Sequence, residues 1–302
     1  MKILVTGGTG FVGSVLTNEL AKTHDVWVTG DTHENKLPDN VHFLKTHLFG
    51  LDWRQLEGLD CLFNLGANNE TQQKDMQDML FSNVSCSIQL FEKASSIGCK
   101  RFIHASSAAV YGDAEAPYFE DVTPCNPLTP YAKSKLEFER YAKDFGAVIL
   151  RYSNVYGPGE KHKGSRRSMI GQLMQQIRWG QRPQLFEWGE QKRDWIYIDD
   201  VVRANICAMN AKLPEGDVFN CGSGNATSFN EIVDIVRHMW YPAGMNTNVF
   251  IRDMSTMYIK NPFPDTYQDF TLCNMEKAKK IGFEPKTLIK EGIELYAEEF
   301  LR

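Results

Sequence analysis

The stretch KILVTGGTGFVGS (residues 2–14) places a short apolar run directly before a cluster of glycines. The apolar run predicts a buried strand, and Gly7, Gly10 and Gly13 have the spacing G-x-x-G-x-x-G. We expect Gly7 to form a tight turn, Gly10 to let the backbone approach a pyrophosphate, and Gly13 to let a helix pack on the sheet. The free N–H groups at the start of that helix would bind the phosphates. The pattern therefore predicts a dinucleotide-binding turn between the first strand and the first helix.

Five further apolar runs follow the glycine turn, and helical patterns separate most of them. The runs are DVWVTGD, VHFLK, DCLFNLGA, RFIHASS and AVILRYS. The clearest helical stretches are 76–96 and 131–145. Nearly continuous apolar strands that alternate with helices predict a parallel sheet covered on both faces. We therefore predict an α/β fold with a Rossmann-type, doubly wound parallel sheet.

The second half of the chain predicts a smaller α/β domain, mostly C-terminal. We expect WIYI (195–198) and DVFNCG (217–222) to return to the main sheet, and Ser228 and Glu231 to form a capping box at a helix start. We predict that the dinucleotide-binding domain comprises residues 1–153 and 195–225. The substrate-binding domain comprises residues 154–194 and 226–302. Ligands of such folds bind in the cleft at the carboxyl ends of the strands.

Composition argues against several classes of partner. The 302 residues carry a net charge of −5, which disfavours nucleic acid and anionic membranes. No apolar run approaches the ~20 residues that a membrane helix needs. The seven cysteines are scattered, without a C-x-x-C, and are typical of reduced thiols in a cytoplasmic protein. We expect no bound metal, no nucleic acid and no membrane partner.

The second apolar run ends in VTGD, which places Asp31 about 20 residues beyond the glycine turn. A carboxylate there accepts hydrogen bonds from a ribose hydroxyl and repels a 2′-phosphate. Asp31 therefore favours NAD over NADP. His33 and Lys36 lie close by and keep NADP possible.

The segment PYAKSK (130–135) carries the predicted catalytic pair. Tyr131 and Lys135 are four residues apart, on one face of a helix. A free tyrosine has a pKa of about 10, and an ammonium beside it together with an oxidised nicotinamide favours the phenolate. Lys135 can also hold the nicotinamide ribose. Ser107, at the end of RFIHASS, can bond the substrate hydroxyl and share its proton with Tyr131.

The glycine turn, the serine and the Tyr–Lys pair together resemble the extended short-chain dehydrogenase/reductase family of nucleotide-sugar epimerases and dehydratases. The resemblance extends over essentially the whole chain and includes NLGA (64–67), RYSNVYGPG (151–159) and RDWIYIDDV (193–201). It implies a tightly held nicotinamide cofactor and a homo-oligomer, a dimer or larger, packed through the helices around 76–96 and 131–145. The cofactor contacts that it implies are Gly7, Gly10, Phe11, Val12, Gly13, Asp31, Leu65, Gly66, Ala67, Asn83, Ser106, Tyr131, Lys135 and Tyr152.

The same resemblance implies a nucleotide-diphosphate sugar as substrate. Arg193 is expected at the diphosphate, and Asn154 at the phosphates or the sugar. The full set of implied substrate contacts is Ser107, Asn154, Lys163, Phe186, Arg193 and Tyr267. Family dehydratases place an Asp-Glu pair directly after the catalytic Ser or Thr, whereas Ala108 and Ala109 follow Ser107 here. Dehydration is therefore disfavoured, and epimerisation through a transient keto-sugar is favoured.

The segment around Lys163 indicates which carbon of the sugar is epimerised. EKHKGS after NVYGP resembles the heptose 6-epimerase branch of the family, where the matching lysine is a second acid/base beside the tyrosine. If the stereocentre is exocyclic, hydroxyls of opposite configuration project to different sides, so Tyr131 would serve one and Lys163 the other.

Two alternative functions remain open at this point. Lys163 can instead bind a phosphate or solvate a loop. The enzyme would then be a UDP-hexose or UDP-uronic acid 4-epimerase that uses Tyr131 alone. The remaining alternative is a non-catalytic nicotinamide-binding sensor, and such proteins usually lose the catalytic tyrosine or lysine.

Overall fold

The computed structural model describes residues 1–30, 37–46, 50–70, 75–212, 216–240 and 255–301. In chain order its strands are β1 (Lys2–Thr6), β2 (Asp25–Thr29), β3 (Val41–Leu44), β4 (Cys61–Asn64), β5 (Arg101–Ser107), β6 (Val148–Tyr152), β7 (Asn154–Tyr156), β8 (Gln184–Phe186), β9 (Lys192–Tyr197), β10 (Val218–Cys221), β11 (Ala226–Ser228) and β12 (Met257–Ile259). Its α-helices are α1 (Phe11–Leu20), α2 (Met76–Leu80), α3 (Cys86–Ser96), α4 (Pro130–Asp144), α5 (Met169–Arg178), α6 (Ile198–Asn210), α7 (Phe229–Trp240), α8 (Glu276–Lys279) and α9 (Ile289–Leu301).

Seven parallel strands form the central sheet in the order β10-β6-β5-β4-β1-β2-β3. The strand order reverses between β1 and β4, which opens a cleft at their carboxyl ends. All six apolar runs of the first half form strands of this sheet. The predicted Rossmann-type α/β fold is therefore confirmed.

Both faces of the sheet are buried, as the nearly continuous apolar runs require. Ile3 and Val5 pack in one core cluster with residues of α1 and α6, whereas Leu4 packs in another cluster with residues of α3 and α4. Alternate residues of a strand point to opposite faces, so a strand covered on both faces has no position left for a polar alternation.

The helix predicted over 76–96 is present as α2, a π-helical turn (Phe81–Ser85) and α3 in direct succession. Asp75 begins it, because its side chain accepts the N–H groups of Gln77 and Asp78. The π turn carries the buried Asn83. Helix α4 begins with Thr129 as its side-chain cap and with Pro130 at its first position, a typical helix start.

A smaller region contains a three-stranded sheet, β11-β9-β7, and a two-stranded sheet, β12-β8. The prediction that 195–198 returns to the main sheet is wrong: Trp195, Ile196 and Tyr197 pair with Asn154–Tyr156 in the three-stranded sheet. An apolar run indicates a buried strand but does not specify its partner. The other predicted return is confirmed, because β10 pairs with β6. The predicted domain boundaries stay a prediction.

The capping box is confirmed at the start of α7. The Ser228 N–H donates to Glu231 Oε2 at 2.7 Å, and the Glu231 N–H donates to Ser228 Oγ at 3.2 Å. No helix within the described ranges is both long and apolar enough to cross a membrane.

Candidate active site

The glycine turn lies between β1 and α1 and is closely packed. Gly7 has φ +64°, and a Cβ there would lie 2.8 Å from the Gly66 Cα. A Cβ on Gly13 would lie 2.1 Å from the Gly7 carbonyl oxygen. Gly10 caps α1, no side chain bonds the cap, and the first turn of α1 contains no acidic residue. The N–H donors at the start of α1 are therefore available to an anion.

The segment after β4 lies against this turn. The Gly66 N–H donates to Thr6 Oγ1 at 3.2 Å, and Thr6 Oγ1 donates to Asn64 Oδ1 at 3.0 Å. These bonds join the carboxyl ends of β1 and β4 at the point where the strand order reverses. The structure thus places Leu65 and Gly66, two of the predicted cofactor contacts, directly beside the glycines.

Ser107, Tyr131 and Lys135 come together at the carboxyl end of β5. Ser107 Oγ accepts the Ala109 N–H at 3.2 Å and hydrogen bonds with Tyr131. Lys135 Nζ donates to the Ala105 carbonyl at 2.8 Å and lies 6.0 Å from the centroid of the Tyr131 ring. The three side chains therefore form one cluster on β5 and α4.

The electrostatics of this cluster are set mainly by burial. Burial raises the pKa of Tyr131, and the hydrogen bond with Ser107 acts in the opposite direction. Burial lowers the pKa of Lys135 to about 8, against the charge of Glu139, which raises it. The expected lowering of the Tyr131 pKa by Lys135 is not found in the protein alone, since the ammonium donates to Ala105 rather than to the phenol.

Lys163 lies beside the glycine turn between β1 and α1, which is the predicted cofactor turn. It belongs to the 3₁₀ turn Lys161–Arg166. Its Nζ donates to Glu160 Oε1 at 2.8 Å and lies 4.9 Å from the centroid of the Phe11 ring. The side chain is 19% exposed. The structure brings Lys163 to the first residue of α1, and its described contacts do not include Tyr131.

Three of the predicted substrate residues meet in a second cluster. The Arg193 guanidinium lies 4.7 Å from the centroid of the Tyr267 ring, and the rings of Phe186 and Tyr267 lie 5.6 Å apart, edge to face. Burial lowers the pKa of Arg193, which is 7% exposed. Within the described chain Arg193 forms no ion pair with a carboxylate; its NH1 donates to the Lys192 carbonyl at 3.1 Å. The charge of Asp269 acts on Arg193 without forming an ion pair, so this buried cation fits an anionic ligand.

Two further predicted residues use their side chains within the protein. Asn154 Nδ2 donates to the Asp194 carbonyl at 3.1 Å. Tyr152 donates its hydroxyl to Asn205 Oδ1 at 2.9 Å. The side chain of Tyr152 therefore holds β6 to α6.

Ser106 and Asn83, both predicted cofactor contacts, also bond inside the protein. Ser106 donates its hydroxyl to Glu139. Asn83 accepts the Asn68 N–H at 2.7 Å and donates to the Ser134 hydroxyl at 3.0 Å. Asn83 thus ties the segment after β4 to α4. Asp31, on which the preference for NAD over NADP rests, lies outside the described residues.

Sequence reasoning missed the buried pair of Glu139 and Arg151. Arg151 NH2 donates to Glu139 Oε2 at 2.7 Å, and both side chains are almost fully buried. Glu139 follows Lys135 by one helical turn, so the four-residue spacing was the available signal. The pair joins β6 to α4, the helix that carries Lys135, and Ser106 of β5 also donates to Glu139.

Asp194, next to Arg193, is a second missed residue. Its carboxylate accepts the N–H groups of Ser223 at 2.7 Å and Cys273 at 3.0 Å, and burial raises its pKa. It therefore fixes β9, which presents Arg193, to the segments after β10 and before α8. No group of three or more His, Cys, Asp or Glu side chains in the described part of the chain is arranged to hold a metal ion.

A glycine turn at the switch point of a Rossmann-type sheet, with Ser, Tyr and Lys at the carboxyl end of a neighbouring strand, defines a dehydrogenase/reductase class that works with a dinucleotide. The sequence profile of the NAD dependent epimerase/dehydratase family matches residues 3–222. The chain therefore belongs to the NAD dependent epimerase/dehydratase family.

Individual relatives agree with this assignment over almost the whole chain. The ADP-L-glycero-D-manno-heptose-6-epimerase of Brachyspira hyodysenteriae is 32% identical, with 98% of this chain and 96% of that protein covered. The structure of the Helicobacter pylori enzyme of the same name has a TM-score of 0.84 and 31% identity, and covers 99% of this chain and 96% of that one. A UDP-glucuronic acid 4-epimerase from Bacillus cereus, solved with UDP-glucuronic acid and NAD, has a TM-score of 0.85 and 26% identity, and covers 100% and 99% of the two chains.

The chain is thus a nucleotide-sugar epimerase, and its cofactor is NAD. The residues present fit this cofactor. The start of α1 offers N–H donors without a side-chain cap, and a Cβ built on Gly10 would meet only the Gly7 carbonyl oxygen, at 3.1 Å. Gly10 therefore leaves room for a pyrophosphate. The Lys135 ammonium uses one of its three donors on the Ala105 carbonyl, and it stays the predicted contact of a ribose hydroxyl.

Proposed function

We propose that the chain inverts the exocyclic carbon of an ADP-linked heptose, with Tyr131 and Lys163 as two acid/base groups. The observation that carries the proposal is the place of Lys163, whose ammonium lies 4.9 Å from the ring of Phe11 at the start of α1. The relatives named as heptose 6-epimerases, at 32% and 31% identity, support the same reaction.

The proposed roles follow from the two clusters. Arg193 binds the diphosphate, with Tyr267 and Phe186 beside it, and so holds the nucleotide in place. NAD, when held by the glycine turn and Lys135, would supply a hydride acceptor for the carbinol carbon and a hydride donor for the keto carbon. Tyr131, assisted by Ser107, takes or gives the hydroxyl proton of one epimer. Because the keto group is exocyclic it turns about a single bond, and Lys163 handles the proton of the other epimer.

The substrate is tested directly by incubating the protein with ADP-, GDP- and UDP-linked heptoses and hexoses in heavy water. We expect NMR to show inversion at the exocyclic carbon of an ADP-heptose, with the carbon-bound hydrogen retained from the substrate. Inversion at C4 of a UDP-sugar, with the heptose unchanged, would contradict the proposal.

Replacing Lys163 by Ala tests the two-base mechanism. We expect epimerisation to fall at least ~100-fold, because one of two acid/base groups is lost. Oxidation of the epimer that Tyr131 serves should persist, which a change in the cofactor absorbance with each separate epimer would show. Lys161→Ala is the matched control, since Lys161 lies exposed in the same turn. Activity of Lys163→Ala within a few-fold of wild type would reject the second base.

The second candidate is a 4-epimerase of a UDP-hexose or UDP-uronic acid that uses Tyr131 alone. One observation favours it: Lys163 is paired with Glu160 and has no described contact with Tyr131. In that mechanism the whole keto-sugar turns over, and Lys163 contacts a phosphate. The substrate panel and the Lys163→Ala variant together separate the two candidates.

A further inference from the structure

Glu160, the partner of Lys163, is completely buried, with an exposure of 0%. Its Oε1 accepts the Lys163 ammonium at 2.8 Å and the Ser168 N–H at 3.0 Å. Its Oε2 accepts the hydroxyl groups of Ser168 and, at 3.2 Å, of Tyr296. A buried carboxylate is costly unless it is both paired and hydrogen-bonded, and Glu160 meets both conditions.

The ammonium of Lys163 retains capacity after this pairing. An ammonium has three N–H donors, and one of them points to Glu160. The side chain keeps 19% exposure beside Phe11, the first residue of α1. Glu160 therefore anchors the amine from the protein side and leaves it accessible next to the cofactor turn.

Helix α9 also contacts the segment that leads to Glu160, at Tyr156 of β7 and at Gly159. The Gly159 N–H donates to Glu299 Oε2 at 2.6 Å, and the Tyr156 hydroxyl donates to the Ile289 carbonyl at 3.4 Å. Burial raises the pKa of Tyr296, so its hydroxyl stays protonated and can donate to Glu160. Helix α9 lies beyond the residues that the family profile matches.

We propose that Glu160 is a positioning residue, whose buried carboxylate, held by Tyr296 of α9, fixes the Lys163 ammonium beside the cofactor turn. The inference deepens the proposed function and rests on it for the effect on turnover. The position of the Lys163 amine does not depend on which reaction the enzyme catalyses. An experiment that follows this position can therefore test the role of Glu160 separately from the two-base function.

Glu160→Gln tests the proposal with little change in size. The amide oxygen can still accept the Lys163 ammonium while the NH₂ group faces the hydroxyls of Ser168 and Tyr296, but the negative charge that holds the ammonium is lost. We expect kcat for epimerisation to fall about 10- to 100-fold with KM within about threefold, while oxidation of the epimer that Tyr131 serves keeps its rate. Glu160→Asp keeps the charge and should recover part of kcat.

Asp200→Asn is the matched control. Asp200 is another buried carboxylate, 2% exposed, which binds Arg203 and accepts the N–H groups of Lys286 and Thr287. The Asp200→Asn variant should lose about as much stability as Glu160→Gln and keep the wild-type kcat. The proposal would be overturned if Glu160→Gln kept the wild-type kcat while Lys163→Ala was impaired. It would also be overturned if Glu160→Gln slowed oxidation of the epimer that Tyr131 serves as much as it slowed epimerisation.

A second readout follows the amine without turnover. Reductive methylation, mapped by mass spectrometry, should modify Lys163 several-fold faster in Glu160→Gln than in wild type, with Lys161 unchanged as the internal reference. If Lys163→Ala retains activity, the two-base function fails, but faster methylation of Lys163 still supports its positioning by Glu160. An unchanged methylation rate overturns the positioning role.

Discussion

Burial of Lys135 inside the catalytic cluster opposes its charge. The side chain is 3% exposed, and its described hydrogen bond goes to the neutral carbonyl of Ala105. Its pKa is lowered from 10.5 to about 8, so below pH 8 folding confines an ammonium that water would solvate better. The predicted catalytic cluster thus contains a charge that lowers the stability of the folded protein.

Lys135→Met should therefore make the cofactor-free protein more stable at neutral pH. The unfolded chain binds the lysine proton up to about pH 10.5, and the folded protein releases it near pH 8. Wild-type stability therefore rises with pH between these values. We expect the variant to lack this rise and to gain up to about 3 kcal/mol at pH 7, while epimerisation is lost.

Urea unfolding of both proteins at several pH values measures this difference. Lys133→Met is the control on the exposed side of the same helix and should change neither the stability nor its pH dependence. A Lys135→Met protein that is less stable than wild type at pH 7 would show that the hydrogen bond to Ala105 outweighs the burial of the charge.

The sequence predicts residues whose chemistry follows from local spacing, and it misses those whose role depends on burial. Tyr131 and Lys135 are recognisable because one helical turn separates them after a strand that ends in serine. Glu139 and Glu160 resemble surface acids in the sequence: the spacing of Glu139 from Lys135 indicates a neighbour, but no local pattern predicts that either carboxylate is buried. Their partners Arg151 and Tyr296 are 12 and 136 positions away, so only the folded chain brings them together.

At the level of elements, the capping box of α7 was predictable because Ser228 and Glu231 are near neighbours in the chain. The hydrogen bond from the Ser228 N–H lowers the pKa of Glu231 below its ordinary value of 4.5. Its stabilisation is therefore present above that value and is lost as the pH falls through the lowered pKa.

Ser228→Ala should destabilise the protein by about 1 kcal/mol at neutral pH, because one N–H at the start of α7 loses its acceptor. Glu231→Gln should also destabilise at neutral pH, with a smaller difference from wild type in acid. Urea unfolding measures both, and Ser96→Ala, exposed at the end of α3, is the control. If the difference in unfolding free energy between Glu231→Gln and wild type does not change with pH, the charge of the Glu231 carboxylate is not the source of the stabilisation.

The pairing of strands was predictable only in part. Helices separate most of the six strands of the first half, and right-handed crossovers then leave few ways to arrange them. Residues 195–198 follow a segment without that alternation. Ile196 packs in the cluster of the main sheet, whereas Trp195 and Tyr197 pack with α5, α7 and α9. A strand that is buried on both sides can pair in either sheet. The pairing of β9 with β7 depends on packing between distant segments, which the local sequence does not predict.

For the whole molecule, two exposed aromatic side chains lie where a dimer interface is predicted. Phe81 in the π turn is 57% exposed, and Phe145 at the end of α4 is 60% exposed. Both lie in or beside the helices through which a dimer was predicted from the family resemblance. Tyr141 connects the two helices, since its hydroxyl donates to Glu92 on α3 at 3.1 Å and its ring packs against Phe145 at 4.9 Å.

Phe81→Glu should convert the predicted dimer into a monomer, because a charge would be buried without a partner in the interface. Light scattering after size exclusion measures the mass over a range of protein concentrations. Trp179→Glu is the matched control: Trp179 is 66% exposed at the end of α5, outside the predicted interface, and its loss should leave the mass unchanged. A dimer that survives Phe81→Glu and dissociates in Trp179→Glu would move the interface to the end of α5, in the smaller region that also contains Phe186 and Arg193. In that case dilution would change KM for the nucleotide sugar, whereas an interface on the helices of the main sheet predicts a KM that dilution leaves unchanged.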